Sequence, residues 1–265
     1  MPFSLDYYFS SLGGAAGGGL DPHGIPYMEK HRLRFEKTLD FIEGISGNSA
    51  LEIGATDFFQ VYLRESLGFQ DVWASIFTQD IAKKRYLADF EVGEYKSAST
   101  VVSVNLEGEF FPISGPRFDF VMMCEVIEHF DVDPMFALCE LNRIMRDGAK
   151  LLITTPNACS ARNAYKACLG YRPHFYMQYS IDRDPYRHNF EHDIHSIKAL
   201  LEGAGFRLAR IEAHDVFDVT DEEAIAFLDR NGMPLELRGD DLFVLAEKVS
   251  SPVDRWPEGV YTPKV

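Results

Sequence analysis

The chain has 265 residues, 46% of them hydrophobic and 13% aromatic, and a formal net charge of −15. That apolar fraction fills a substantial core and excludes a disordered chain, and the length suits one α/β domain with additions. The acidic balance excludes a surface that tracks long nucleic acids or coats an anionic membrane, while leaving room for a local basic pocket that takes a phosphorylated small molecule. Cys124, Cys139, Cys159 and Cys168 show no CxxC and no zinc-ligand spacing, so they read as reduced, mostly buried thiols of a cytoplasmic protein. No signal-peptide pattern opens the sequence, and no apolar run approaches the roughly 20 residues of a membrane span.

Residues 1–28 place Phe3, Tyr7, Tyr8 and Phe9 before the run Gly13 to Gly19. No strand precedes this run and no Lys-Ser/Thr follows it, so it is not a phosphate loop; it predicts a flexible arm or lid. A helix is expected over 27–45, then a strand at 49–53 ending in a tight turn at Gly54. A second strand follows at 72–77, a polar helical stretch from about 78 to 90, and a β-branched third strand at 100–104. The run Phe118 to Cys124 is a fourth strand. A helix carrying Leu138, Leu141 and Met145 ends at Asp147-Gly148, and a fifth strand at 151–155 is stopped by Pro156-Asn157. Residues 158–187 look irregular and are rich in Tyr, Arg and His, as a capping insertion over the active edge would be. A helix at 194–205, a strand at 206–213, a helix at 221–231, a strand at 241–247 and an extended tail at 250–265 complete the chain. This alternation predicts a doubly wound, mostly parallel seven-stranded sheet with an antiparallel edge strand, within one domain spanning 1–265.

In an open α/β sheet, ligands bind beyond the carboxyl ends of the strands. Glu125, Glu128 and His129 follow the fourth strand at i, i+3 and i+4, which puts them on one face of a helical turn at that edge. Two carboxylates and an imidazole there suit either a metal site or acid–base work.

Leu51-Glu52-Ile53-Gly54 resembles the first motif of class I S-adenosylmethionine-dependent methyltransferases, and Phe118-Asp119 through Glu125-Val126-Ile127-Glu128-His129-Phe130 is similar to their fourth-strand motif. Leu141 to Gly148 and Leu152 to Asn157 look like the helix, turn and fifth strand that follow, and order and spacing hold from about 35 to 248. The resemblance implies a Rossmann-like fold and S-adenosyl-L-methionine as cofactor, held by Glu52, Gly54, Ala55, Asn105, Leu106, Cys124 and Glu125. Two departures stand out. Ala55, Thr56, Asp57 and Phe58 replace the usual further glycines, and no acidic residue ends the second strand, where Gln79 and Asp80 lie slightly beyond.

Tyr186-Arg187-His188-Asn189-Phe190-Glu191-His192-Asp193 is similar to an Arg-His-Asn-x-Glu segment of methyltransferases from bacterial polysaccharide and natural-product clusters, with His192 and Asp193 in place of an aromatic and a threonine. Small-RNA 3′-end 2′-O-methyltransferases pair a similar Glu-x-x-Glu-His motif with a later histidine to bind a divalent metal. Carried over by motif, the ligands of a Mg²⁺, Mn²⁺ or Zn²⁺ ion here would be Glu125, Glu128, His129 and His188. Many members with this motif use no metal; in that case His129 or His188 is the general base, with Glu128 beside it. Asn163, Tyr165, Arg172, His174, Tyr179 and Arg183 of the insertion suit a sugar. The implied activity is O-methyl transfer to a hydroxyl of a small-molecule sugar or glycan precursor. A quinol or phenol acceptor, and a degenerate cofactor-binding domain without activity, are the competing readings; an RNA acceptor is disfavoured by the charge.

Overall fold

The computed structural model describes residues 3–12, 24–76, 85–173 and 187–262. The chain opens with three helices, α1 (Leu5–Leu12), α2 (Gly24–Lys30) and α3 (Arg32–Ile42), so the helix expected over 27–45 is broken at His31. Then come β1 (Ser49–Ile53), α4 (Asp57–Glu65), β2 (Asp71–Ile76), β3 (Arg85–Val92), β4 (Tyr95–Ser103) and β5 (Phe118–Cys124). A single 3₁₀ turn at Ile127–His129 leads to α5 (Pro134–Ile144), β6 (Met145–Pro156) and α6 (Ala161–Cys168). The chain finishes with α7 (Ile194–Gly203), β7 (Phe206–His214), α8 (Glu222–Arg230) and β8 (Asp241–Lys248).

The strands form one sheet in the order β3-β4-β2-β1-β5-β6-β8-β7. β4, β2, β1, β5 and β6 run parallel; β3 pairs antiparallel with β4, and β8 runs antiparallel between β6 and β7. The central strands are buried on both faces, which is why they read as unbroken apolar runs. Leu51, Val121, Met123, Leu151 and Ile153 face one layer with Leu138, Leu141, Ile197 and Leu200 of α5 and α7. Ala50, Phe120, Met122 and Leu152 face the other layer with Phe35 and Phe41 of α3 and Phe58 and Phe59 of α4. Side-chain caps fix several helix starts: Thr56, Asp133, Ser160, Asp193 and Asp221 each accept a backbone N–H from the first turn.

The sheet has eight strands where seven were expected, because the end of the stretch read as a polar helix, from residue 85, belongs to the edge strand β3, which runs on to Val92. Its polarity is that of an edge: the chain turns back at Gly93 into β4, and only Phe90 and Val92 are buried. The helix before β6 ends at Ile144, ahead of Asp147-Gly148, and the region read as irregular after β6 holds α6, which packs on α8 through Ala161, Ala224 and Leu228. The described start of the expected arm is buried at Phe3 and, in α1, at Leu5 and Tyr8; the glycine run lies outside the described residues. In the tail, Tyr261 packs against the α5–α7 layer and its hydroxyl donates to Asp133, whereas Trp256 is half exposed beside it. All four cysteines are free thiols, and Cys159 and Cys168 are exposed where burial was expected. Among the described residues no helix is long and apolar enough to cross a membrane.

The Phe3 ring, just ahead of α1, lies 5.5 Å from Phe58 and 5.3 Å from Tyr95, and with Leu5 and Tyr8 of α1 it is part of the core. Phe3→Ala is therefore expected to cost about 3 kcal/mol in denaturant unfolding, whereas a loose arm would give no change.

Candidate functional site at the carboxyl edge of the sheet

The turn after β1 is built around a buried carboxylate. Glu52 accepts from the Thr56 backbone N–H at 2.9 Å and hydroxyl at 3.0 Å through one oxygen, and from Gln60 Nε2 at 2.8 Å through the other. These bonds fix the loop that carries Gly54, whose φ of +74° lies in the left-handed region. A Cβ at Gly54 would stand 2.9 Å from Val126 Cγ2, so the β1 turn and the β5 turn touch there without room for a side chain. Burial pushes the Glu52 carboxyl up to about 8, against the hydrogen bonds that favour its charged form.

The turn after β5 begins with Glu125 at φ +54°, uncommon for a residue other than glycine. This kink sends the Glu125 side chain to Thr154, whose hydroxyl donates to it at 2.6 Å, and towards Arg34, 3.5 Å away. Glu128 lies past the kink, fully buried, with one oxygen accepting from the Thr155 hydroxyl at 3.0 Å and the other, Oε1, without a hydrogen-bond partner. Burial, then the Glu125 charge, raises its carboxyl well above the usual range. His129 Nε2 stands 3.8 Å from that orphaned oxygen.

The segment 187–192 is fastened across this turn. Asn189 and Phe190 N–H groups donate to the Glu128 carbonyl at 2.8 and 3.1 Å, and Asn189 Nδ2 donates to the His129 carbonyl at 2.6 Å. His129 Nδ1 donates to the Arg187 carbonyl at 3.0 Å, and His188 Nδ1 lies 2.9 Å from the buried carboxylate of Glu191. Both partnerships favour the tautomer with an unprotonated Nε2. The two rings meet edge to face with centroids 5.2 Å apart, and ligand atoms of Glu128, His129 and His188 all fall within 4.8 Å of one another.

Three of the four residues expected as metal ligands therefore converge, and Glu125 does not: its left-handed backbone turns it to the Thr154 and Arg34 side of the edge. Among the expected cofactor residues, Gly54 and Ala55 line the β1 turn, with both N–H groups donating to Ser75 O. Glu52 spends its oxygens on that turn, Leu106 is buried in the core, and Asn105 caps its own loop by accepting from the Glu107 N–H. Cys124 ends β5 partly buried, and burial raises its thiol above the usual range. Asn163 is buried with its amide on Asn157 O, Tyr165 donates to Glu223, and Arg172 is exposed; His174, Tyr179 and Arg183 lie outside the described residues.

Sequence reading missed Arg34 and Asp241. Arg34 of α3 is almost fully buried, donates to the Tyr27 hydroxyl at 2.8 Å and lies against the rings of Tyr27, Phe35 and Phe217. Burial works against its charge, but Glu125, Tyr27 and Asp241 together hold its pKa above the ordinary value. Asp241, the first residue of β8, is fully buried and both its oxygens lack a partner. An arginine among apolar helix positions was the one available signal for the first; a polar residue opening a strand gave none for the second.

The sheet order, the glycine turn after β1 and the functional edge beside it define a class I methyltransferase fold. A family model described as a methyltransferase domain matches residues 28–211. The chain belongs to this family of S-adenosylmethionine-dependent methyltransferases. Among solved structures, an S-adenosylmethionine-dependent methyltransferase from Archaeoglobus fulgidus is 19% identical with a TM-score of 0.54, over 85% of this chain and 100% of that one. One from Thermotoga maritima is 17% identical with a TM-score of 0.51, over 84% and 93%. The magnesium protoporphyrin IX methyltransferase of Synechocystis, with S-adenosylhomocysteine bound, is 14% identical with a TM-score of 0.50, over 92% and 93%. No curated protein sequence matches the chain.

A carboxyl whose pKa rises on folding stabilises the fold below its unfolded value, and that contribution is lost as pH rises through the folded value. For Glu52 the window runs from about 4.5 to about 8. Glu52→Gln is expected to show a smaller fall in its denaturation midpoint across that window than the native protein; parallel profiles would contradict a neutral, buried Glu52.

Proposed function

We propose that the protein transfers the methyl group of S-adenosylmethionine to a hydroxyl of a sugar or glycan precursor in the cytoplasm. The observation that carries this reading is the junction of His129 and His188 beside the wall formed by Gly54 and Val126. In-line attack forms the carbon–oxygen bond as the carbon–sulfur bond breaks, and the hydroxyl proton must leave to a base. His188 fits that base: Glu191 on Nδ1 fixes the accepting Nε2 and would stabilise the imidazolium, as the carboxylate does in a catalytic triad. Tyr27 and Phe217 beside Glu125 and Arg34 provide the aromatic faces and polar groups that sugars bind.

A second reading, metal assistance, is favoured by the orphaned Glu128 Oε1 facing two imidazoles. Two histidines and a carboxylate, each histidine held from behind by a carbonyl or carboxylate, fit a divalent ion. When bound, such an ion would lower the pKa of a coordinated hydroxyl. Glu128, His129 and His188 would hold it, and Glu191 and the Arg187 carbonyl would orient the two rings.

Two measurements test these readings. With labelled S-adenosylmethionine, label should pass to nucleotide sugars or glycans; transfer only to phenols or quinols would overturn the sugar assignment. His188→Ala should lower kcat by about a hundredfold or more with cofactor affinity unchanged. Full activity of the native enzyme in EDTA is expected for the base reading, whereas loss restored by Mn²⁺ or Zn²⁺ would replace it with the metal reading.

A further inference from the structure

Among the described residues, five buried side-chain nitrogen or oxygen atoms have no hydrogen-bond partner: His31 Nδ1, Gln60 Oε1, Glu128 Oε1 and both oxygens of Asp241. Four of the five belong to three residues on which the charge of Arg34 acts, His31, Glu128 and Asp241. A buried polar atom without a partner has lost its hydration for nothing, so each such atom in a native fold needs an explanation. Glu128 belongs to the histidine cluster already described; Asp241 does not. Asp241 stands opposite Pro156, two residues from Phe243, and Phe243 stands opposite Thr154. By the two-residue period of strands, Asp241 shares the sheet face of Thr154, the residue that holds Glu125. It lies at the carboxyl edge of β6, on the α3 side, with Tyr27, His31, Arg34 and Phe217 as one mutually packed wall.

We propose that Asp241 is a substrate-binding residue, whose two carboxyl oxygens take a pair of neighbouring hydroxyls on the methyl acceptor. The inference rests on the hydroxyl-acceptor reading above and gives that acceptor a vicinal diol. Hydroxyls suit this carboxyl because full burial favours its neutral form, with which hydroxyls pair, and no buried ion pair is needed. Hydroxyls both donate and accept, so one diol satisfies both Asp241 oxygens whichever of them carries a proton. Aromatic faces alongside a carboxyl are the surroundings such a polyol needs.

Calorimetry on the full chain with S-adenosylhomocysteine bound, titrating a panel of nucleotide sugars, tests this with Asp241→Leu and Asp241→Asn. The expected result is that Asp241→Leu weakens a sugar with vicinal hydroxyls by about tenfold or more, that Asp241→Asn has a smaller effect, and that deoxy analogues bind native and variant protein equally. Affinity for S-adenosylhomocysteine should not change, and the melting temperature of Asp241→Leu without ligand should hold or rise, because an unpaired buried carboxyl has been removed. Equal affinity of native and variant protein for the diol sugar overturns the proposal, as does a lower melting temperature with unaltered sugar binding. If the native protein binds only phenols, the sugar reading fails on its own, and a catechol is compared with a monophenol. Loss confined to the catechol in Asp241→Leu upholds the proposal; equal loss, no loss, or no binding by either panel overturns it.

Discussion

The functional edge depends on the clamp between the turn after β5 and the segment that precedes α7. The Glu128 carbonyl takes two backbone N–H groups from Asn189 and Phe190, and the Asn189 amide takes the His129 carbonyl. The Ala158 N–H also donates to the His192 carbonyl at 2.9 Å, which holds the loop before α7 at the end of β6, next to β5. With these bonds, His188 is set edge to face on His129, and Glu191 is set behind His188. Backbone atoms do most of this work, and the two imidazoles hold a defined position against each other.

A second constraint is electrostatic. The charges of Glu125 and Glu128, from the turn after β5, and of Asp241, at the start of β8, act on one another, with Arg34 as the nearby cation. Burial and mutual repulsion raise Glu128 and Asp241 well above the usual carboxylate range. A net-acidic chain that buries carboxylates at one edge is giving up stability there, which is the common condition of sites that bind or react. The opposite case is Asp240, next in sequence to Asp241, which accepts three backbone N–H groups from Val216, Phe217 and Asp218 and serves the β7–α8 connection. Neighbouring aspartates thus divide between structure and site.

The central strands and their order were legible because burial on both faces leaves a local signature, a short apolar run between polar stops. β3 was not, because as an edge strand it keeps Arg85, Leu87, Asp89 and Glu91 in solvent, and that pattern over a few residues passes for a polar helix. The motif residues Gly54, Glu128, His129 and His188 were legible as types in sequence order, and their convergence followed from the family pattern. The fate of Glu125 was not, since a single left-handed φ reverses the direction of a side chain without any trace in the spacing. Arg34 and Asp241 meet only through tertiary packing of α3 on β8, a relation that periodicity in either segment does not encode.

The most direct test of the account is the single-turnover methyl-transfer rate of Asn189→Ala, measured at saturating S-adenosylmethionine with its affinity determined in parallel. The Asn189 side chain ties the histidine segment down through its amide nitrogen, which donates to the His129 carbonyl, and its amide oxygen, which accepts from Arg187 Nε. The account predicts a fall of about tenfold or more in that rate, with cofactor affinity and melting temperature close to native. An unchanged rate would contradict it, because His188 would then need no clamp to reach the acceptor.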